Sequence, residues 1–287
     1  MKKTILFNND QNKSVLKILK KKILTFISVF FSFSIQDYYS TTNFLKFRFK
    51  IKRDKIKKLK GIHKNETIFM IGAGPSLNDE NLNLLNDKIV IAYNFSFQAL
   101  ENVKPKKIYS VILGARLNPG KSIDRKLFDE SFRIPGAKDD EIIEYGAIKK
   151  TDIILPTPFK YYIYKIKDGS AGFSYDISKE FRSNGGSSGL LSCAQIASYM
   201  GANKIVLLGA DFDCKDQSAT HFSKANFEKT SHWDGKDHEW YKLKRPEIFR
   251  SLERLKNLLK QNGIEFINAS SYISEKVLDK KKLNDLV

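Results

Sequence analysis

Short apolar runs alternate with longer amphipathic stretches along most of the chain after residue 60. The runs are rich in β-branched residues, and the alternation is typical of a mostly parallel sheet with crossover helices. Strands are predicted at residues 66–74, 88–94, 107–113, 151–156, 204–212 and 264–269. Apolar residues at helical spacing predict helices at 188–201 and 246–263, the second with Pro246 near its start and Gly263 at its end. The sequence therefore predicts an α/β domain with a Rossmann-like sheet.

Two polar, irregular stretches interrupt this alternation, at residues 115–150 and 213–245. Long loops in compact domains usually carry function. The second stretch leaves from the end of a predicted strand, and open α/β sheets bind ligands beyond the carboxyl ends of their strands. We therefore expect residues 213–245 to form a lid over a ligand site in a catalytic domain that spans residues 61–287.

Before residue 61 the pattern changes to an apolar stretch that contains many lysines. Residues 15–35 read VLKILKKKILTFISVFFSFSI, but the uninterrupted apolar part, 23–35, is shorter than the roughly 20 residues that span a bilayer. No small-x-small cleavage pattern follows it, which argues against a secretory signal. Residues 1–60 are therefore interpreted as a basic amphipathic helical extension that either lies on a membrane surface or packs on the domain or on a second copy.

The net charge is concentrated in this extension. The 287 residues include 50 Lys and Arg against 32 Asp and Glu, a formal charge of +18, and residues 1–60 hold 16 of the basic residues and three of the acidic ones. Lysines near anionic head groups contribute about 1 kcal/mol each. We expect peripheral attachment to an anionic membrane, at the inner face of the cytoplasmic membrane. Specific nucleic-acid binding is the weakest hypothesis, because no aromatic and basic RNA-binding signature accompanies the charge.

Only two cysteines occur, Cys193 and Cys214, so neither a disulfide framework nor a cysteine metal site is indicated. This usage suits a cytoplasmic protein. The sequence leaves the oligomeric state open, with a homo-oligomer among the options.

A glycine-rich turn follows the first predicted strand, in the sequence IFMIGAGPSLND. Glycines let a ligand approach the backbone, and free N–H groups at a following helix start, expected near Asp79, favour an anion. Neither the Rossmann G-x-G-x-x-G nor the Walker lysine is completed, because Leu77 stands at the third glycine position and no Gly-Lys-Ser/Thr follows. A phosphate cradle and a tight turn without a ligand both remain open.

A second block, NGGSSGLLSCAQIASYMGANKIVLLGADF at residues 184–212, follows in the same order. GxGPSL, a later SSG that opens a helix, and an apolar strand ending in GxDF resemble the bacterial sialyltransferases of glycosyltransferase family 42, over roughly residues 66–269. The resemblance implies a GT-A-like fold, a CMP-activated sugar donor, a surface-glycan or lipid-linked acceptor, and no metal or other cofactor. GAGPSL is also similar to the 6-hydroxymethylpterin diphosphokinase-like family, so a magnesium-dependent pyrophosphokinase is the alternative.

The resemblance also implies a donor site built from several short segments. The residues implied to bind the nucleotide or the donor are Gly72, Ala73, Gly74, Pro75, Ser76, Asn94, Ser187, Ser188, Gly189 and Asp211. The glycine turn would line the phosphate, and the two serines would hold the cytidine or the sugar carboxylate. A turn role for Asn94 is equally open, and Asp211 is interpreted as structural or substrate-orienting, with no metal site predicted.

Two departures from the family pattern bear on the donor. Ala73 stands where the family has an asparagine, and the family's paired lid tyrosines have no clear counterpart within residues 213–245.

Three of the four histidines, His221, His232 and His238, lie in the lid. A neutral imidazole is suited to take the proton of an acceptor hydroxyl near pH 7. The resemblance implies a catalytic histidine between the lid and the next helix, a position that His238 matches best and His221 second. The spacing of the three fits no compact zinc pattern, and for each an exposed loop position without a catalytic role stays open. The resemblance implies an inverting transfer.

Overall fold

The computed structural model describes residues 53–94, 96–113, 130–134, 153–154, 173–179, 181, 189–211, 237–270 and 277–287. Within these residues, eight strands form one sheet in the order β5-β4-β3-β2-β1-β6-β7-β8. Every neighbouring pair is parallel. The strands are β1 (Thr67–Ile71), β2 (Ile89–Tyr93), β3 (Lys107–Leu113), β4 (Glu130–Ile134), β5 (Ile153–Ile154), β6 (Lys204–Leu208), β7 (Glu265–Asn268) and β8 (Asp279–Lys280). The predicted α/β fold with a Rossmann-like parallel sheet is confirmed.

In the described part of the chain, three helices accompany the sheet: α1 (Arg53–Lys58), α2 (Gly189–Tyr199) and α3 (Asp237–Gln261). The chain adds β2 to β5 on one side of β1 and then returns through α2, so that β6 pairs with the other side of β1. The strand order therefore reverses between β1 and β6. In open α/β sheets a reversal of this kind opens a crevice at the carboxyl ends of the two strands.

The central strands are buried on both faces, as expected for a parallel sheet with two covering layers. In β1, Ile68 and Met70 pack in the cluster that also contains α2 and α3, while Phe69 and Ile71 pack in the opposite cluster. Short 3₁₀ turns contribute to the second cluster, at Pro75–Asn78, Leu82–Leu85 and Leu283–Asp285. The glycine turn that follows β1 therefore extends from one of the most deeply buried strands of the protein.

Several predicted elements differ from those observed. The β1–β2 connection contains two 3₁₀ turns and no α-helix near Asp79, because its sequence is dominated by Asn and Asp, which favour turns over helix interiors. The stretch 115–150 contains the strand β4, which was not predicted because its sequence, ESFRI, includes two charged residues. The second helix begins at Asp237, so Pro246 lies inside α3, and the last part of the predicted lid, residues 237–245, is helical.

The helix α1 belongs structurally to the sheet domain. Ile56 is completely buried and Leu59 is nearly so, both in the cluster that contains α2. The following turn is bonded to the end of α2: the N–H groups of Gly61 and His63 donate to the carbonyls of Tyr199 and Met200, at 3.1 and 2.8 Å. Residues 53–64 are thus packed on the domain, whereas residues 1–52 lie outside the described part. No helix within the described part is long and apolar enough to cross a bilayer.

Candidate functional site at the carboxyl edge of the sheet

The predicted donor-site residues that the structure describes come together at the carboxyl edge of the sheet. The glycine turn follows β1, Asn94 follows β2, Asp211 follows β6, and Gly189 begins α2. Two sequence blocks more than a hundred residues apart thereby flank the point where the strand order reverses. Ser187, Ser188, His221 and His232 lie outside the described residues.

A buried pair of hydrogen bonds joins the two blocks. The Asp211 carboxylate accepts from the Ser76 N–H at 2.6 Å and from the Ser76 hydroxyl at 2.6 Å. Ser76 is fully buried and Asp211 is 9% exposed. The carboxylate therefore caps the start of the 3₁₀ turn Pro75–Asn78 from a different strand. We call this arrangement the Ser76–Asp211 clamp.

The glycines of the turn allow the two strand ends to approach each other. The N–H groups of Gly72 and Gly74 donate to the carbonyls of Leu208 and Gly209, each at 2.8 Å. A Cβ built on Gly72 would overlap the Gly209 carbonyl, and one built on Gly74 would overlap the Asp211 carboxylate. Both positions need glycine for this reason, whether or not a ligand binds.

The backbone N–H groups of the glycine turn are already engaged. Those of Gly72, Gly74 and Ser76 donate to acceptors on the β6 side and are not available to an anion. The reason is that the turn is packed against the end of β6. Ala73 and Pro75 are the half-buried members of the turn, so they are the ones with surface left for a ligand.

Opposing effects act on the carboxyl group of Asp211. Burial raises its pKa above the ordinary value, the two bonds from Ser76 oppose this, and the negative charge of Asp79 raises the pKa further. Both oxygens of the carboxylate accept hydrogen bonds from Ser76. Within the described residues, no three His, Cys, Asp or Glu side chains are grouped as a metal site would need.

The end of β2 forms the second wall of the edge. Asn94 has a left-handed backbone (φ 52°) and donates its N–H to the Val111 carbonyl at 2.8 Å. Asparagine is enriched in this conformation. Asn94 therefore has the turn role that was one of its two interpretations. The Ser96 hydroxyl donates to the Ile71 carbonyl at 2.7 Å and so ties this turn to the end of β1.

The start of α2 lies directly against Tyr93. A Cβ on Gly189 would overlap the Tyr93 ring, so glycine is the residue that fits here. Neither Tyr93 nor Ser96 was identified from the sequence as part of the site, although both lie in the segment AYNFSF that contains Asn94.

A further support of the site comes from β7 and was missed by the sequence analysis. The Ala210 N–H donates to the Ser270 hydroxyl at 3.0 Å, and the Ser270 N–H donates to the Asn268 side-chain oxygen at 2.9 Å. The segment that carries Asp211 is thus held from β7 as well as from β1. The sequence INAS, in which polar residues directly follow an apolar strand, could have indicated this contact.

His238 is the second residue of α3. The helix precedes β7 and runs back toward the amino edge of the sheet, and its 25 residues correspond to roughly 37 Å of length. Since β6 has only five residues, roughly 16 Å, the start of α3 lies on the carboxyl-edge side. The side chain of His238 is outside the described part.

These features define an open α/β protein whose candidate site lies at the strand-order reversal between β1 and β6. No protein-family model matches the chain, and no curated protein matches it. Among solved structures, the chain is similar to the sialyltransferase CstII from Campylobacter jejuni in complex with a substrate analogue, cytidine-5'-monophosphate. That match has 12% identity and a TM-score of 0.46, and it covers 77% of this chain and 86% of the other.

A second CstII structure, in complex with trisaccharide acceptor and CMP, matches at 14% identity with a TM-score of 0.47 and covers 76% of this chain and 88% of the other. Matches at this level are a likeness of fold and identify no donor, acceptor or reaction.

Proposed function

We propose that the chain is a nucleotide-sugar-dependent glycosyltransferase of the sialyltransferase-like kind. Its donor would be a CMP-activated acidic sugar, and its acceptor a surface glycan or a lipid-linked glycan. The observation that carries the proposal is the Ser76–Asp211 clamp. It joins the GAGPSL and GADF segments, which carry the family resemblance, at the position where open α/β sheets bind ligands.

In the proposed reaction an acceptor hydroxyl oxygen attacks the anomeric carbon of the donor. The bond between that carbon and the phosphate oxygen breaks, and CMP leaves with the electron pair. The hydroxyl proton passes to a neutral imidazole, His238 or His221, and the configuration at the anomeric carbon inverts. The family resemblance favours His238 over His221, and the start of α3, where His238 stands, lies on the same side of the sheet as the clamp.

Residues 213–236 would close over the donor and exclude water, which otherwise competes with the acceptor. Asp211 would hold the glycine turn in place and orient a donor hydroxyl, because its carboxyl is buried yet close to the half-exposed Ala73 and Pro75. Ala73 stands where the resembling family has an asparagine, so it cannot contact the donor phosphate as that side chain would. Ser187 and Ser188 are the candidates for these contacts.

A magnesium-dependent pyrophosphokinase is the second candidate. What supports it is the similarity of GAGPSL to that family, together with two acidic residues at the carboxyl edge, Asp79 after the glycine turn and Asp211 after β6. Carboxylates in such pairs bind Mg²⁺ together with phosphate groups of a nucleoside triphosphate. This candidate requires ATP and the metal, whereas the transferase requires CMP and no metal.

Thermal unfolding of the full chain with CMP, CDP, UDP, ATP or GTP, each with magnesium or with EDTA, separates the two. A ligand that binds the native state raises its stability, by about 2.7 kcal/mol at a concentration of 100 times Kd. The transferase predicts stabilisation by CMP that persists in EDTA. Stabilisation by ATP with magnesium alone, and none by CMP, would contradict it.

The base is tested with three matched variants, His238→Ala, His221→Ala and His232→Ala. If His238 is the base, its variant keeps CMP affinity and loses 10²-fold or more in turnover, the range typical of general-base removal. The His232 variant is the control and should keep near-normal turnover. Equal losses in all three variants would count against a single base.

A further inference from the structure

Exposed basic residues gather at the edge of the sheet opposite to the candidate site. The helix α1 and the turn after it present Arg53, Lys57, Lys58, Lys60, Ile62 and Lys64, all of them exposed. We call this set the amino-edge basic surface. It contains five basic residues, and Asp54 is the one acidic residue within residues 53–64.

The position of this surface is fixed by contacts on its inner side. Ile56 and Leu59 are buried in the core, and the turn is bonded to the end of α2, directly before β6 begins. The His63 Nδ1–H donates to the Glu66 carboxylate at 2.8 Å, and its Nε2 is hydrogen-bonded to the Tyr109 hydroxyl at 2.8 Å. The surface is therefore held rigidly at the amino edge of the sheet.

Around β1 the two edges of the sheet differ in charge, whereas Lys280, Lys281 and Lys282 stand at the carboxyl end of the outer strand β8 and Glu66 and Asp87 at the amino edge. Lys88, Lys104 and Lys107 stand at the entries to β2 and β3 and extend the positive charge of the amino edge. Between residues 65 and 87, which include the glycine turn, the sequence has no Lys or Arg, and the carboxyl edge there carries Asp79 and Glu80. This difference orients the protein toward any extended anionic surface.

We propose that the amino-edge basic surface docks on an anionic membrane, with the candidate site facing away from it. Three observations select a bilayer as the occupant. The positive charge complements anionic head groups. Ile62 is an exposed apolar side chain among the lysines, as interfacial binding favours. The surface is also continuous in sequence with residues 1–52, in which lysines are mixed with Phe and Ile.

The orientation has a consequence for the acceptor, which rests on the proposed transferase function. The two edges are separated by at least the length of β1, whose five residues span roughly 16 Å. A hydroxyl at the level of the lipid head groups does not reach the site. The acceptor class is therefore a glycan that extends well beyond its anchor and is modified at its far end.

A fluorescent probe at each edge tests the docking on the full chain. In a Cys214→Ser background, Ile62→Cys and Asp79→Cys are each labelled with an environment-sensitive dye; Cys193 is fully buried and does not compete. With vesicles of equal parts phosphatidylglycerol and phosphatidylcholine, the dye at position 62 should brighten and shift to the blue, and the dye at position 79 should not. Signals of equal size, or a signal at position 79 alone, overturn the proposal.

Matched charge variants test the electrostatic part. Lys57→Gln, Lys58→Gln and Lys60→Gln together should weaken binding to anionic vesicles on the order of a hundredfold, from about fivefold per lysine. Lys280→Gln, Lys281→Gln and Lys282→Gln remove the same charge from exposed positions at the far end of β8 and should change little. Equal effects of the two triple variants contradict the proposal.

A labelled RNA oligonucleotide serves as the competing partner. Binding to the RNA without binding to either anionic or neutral vesicles overturns the proposal. None of these experiments contains a donor or an acceptor, so the docking stands or fails independently of the nucleotide screen that tests the transferase function.

Discussion

Replacing Ser76 by alanine removes one of the two bonds that the Ser76–Asp211 clamp contains. The hydroxyl lies 2.6 Å from the carboxylate oxygen, and Ser76 is fully buried. A hydrogen bond to a charged group contributes about 1.5–3 kcal/mol, so Ser76→Ala should lower the free energy of unfolding by that amount. Asp211→Ala should cost about 2–5 kcal/mol, because it leaves both the N–H and the hydroxyl of Ser76 buried without this acceptor.

The double variant isolates the bond itself. Because the Ser76 hydroxyl has lost its carboxylate partner once Asp211 is alanine, adding Ser76→Ala should cost little more, giving a coupling energy of about 1–3 kcal/mol. Urea unfolding of the full chain followed by circular dichroism measures all four proteins. Strictly additive costs, with coupling below about 0.5 kcal/mol, would refute the clamp.

Ser110→Ala is the matched control for this cycle. Ser110 is also a fully buried serine, but within the described part of the chain its hydroxyl has no hydrogen-bond partner. Removing it should leave stability unchanged or raise it by up to about 1 kcal/mol. A loss as large as that of Ser76→Ala would mean that the cost arises from burial of the side chain and not from the bond.

Three further predictions concern pH, packing and thiol chemistry. The pKa of Glu66 is lowered by its bonds from Lys106 and His63. The ionised carboxylate therefore stabilises the folded protein above about pH 4.5, and this stabilisation is lost as the pH falls. The difference in free energy of unfolding between wild type and Glu66→Gln, measured in urea, should decrease toward zero on acidification. Gly189→Ala should destabilise by about 2–3 kcal/mol, because its Cβ forces the Tyr93 ring to move. Gly263→Ala, in open space at φ 70°, should cost about 1 kcal/mol in the same unfolding assay, and equal costs would contradict the packing. In Cys214→Ser protein the remaining thiol, Cys193, should react with a thiol reagent only after unfolding. Burial blocks access to this thiol and strongly raises its pKa. Fast reaction of the native protein would contradict this prediction.

The pH dependence of Asp211 has the opposite sign to that of Glu66. Its pKa is raised in the folded protein, so the native state keeps its proton in a range where the unfolded state has lost it. Wild type should therefore lose stability relative to Asp211→Asn as the pH rises from about 3.8 through the folded pKa. The paired urea titrations of the two carboxyl variants, Glu66→Gln and Asp211→Asn, serve as controls for each other.

The sequence predicted the sheet well where the strands are apolar and central. β1, β2, β3, β6 and β7 were each identified, because buried parallel strands have continuous apolar runs. β4 and β8 were missed, since ESFRI carries charges and β8 has only two residues, both exposed. The start of α3 was misplaced because a proline that sits inside the helix was interpreted as its first turn.

For the candidate site, the sequence identified the segments but not their partners. The glycine turn and Asp211 were both singled out, yet the bond between Ser76 and Asp211 joins positions far apart in sequence and depends on the strand order. The same is true of Tyr93 against Gly189 and of Ser270 beneath Ala210. Contacts of this kind follow from tertiary packing, which local patterns do not encode.

Hydrogen exchange of the full chain with and without saturating CMP, in EDTA, is the measurement that bears most directly on the proposed site. CMP should slow amide exchange in peptides that contain the glycine turn and the start of α2. Peptides from the amino edge, such as those with His63 and Lys64, should exchange unchanged. Protection confined to the amino edge, or none anywhere at saturation, would contradict a nucleotide site between β1 and β6.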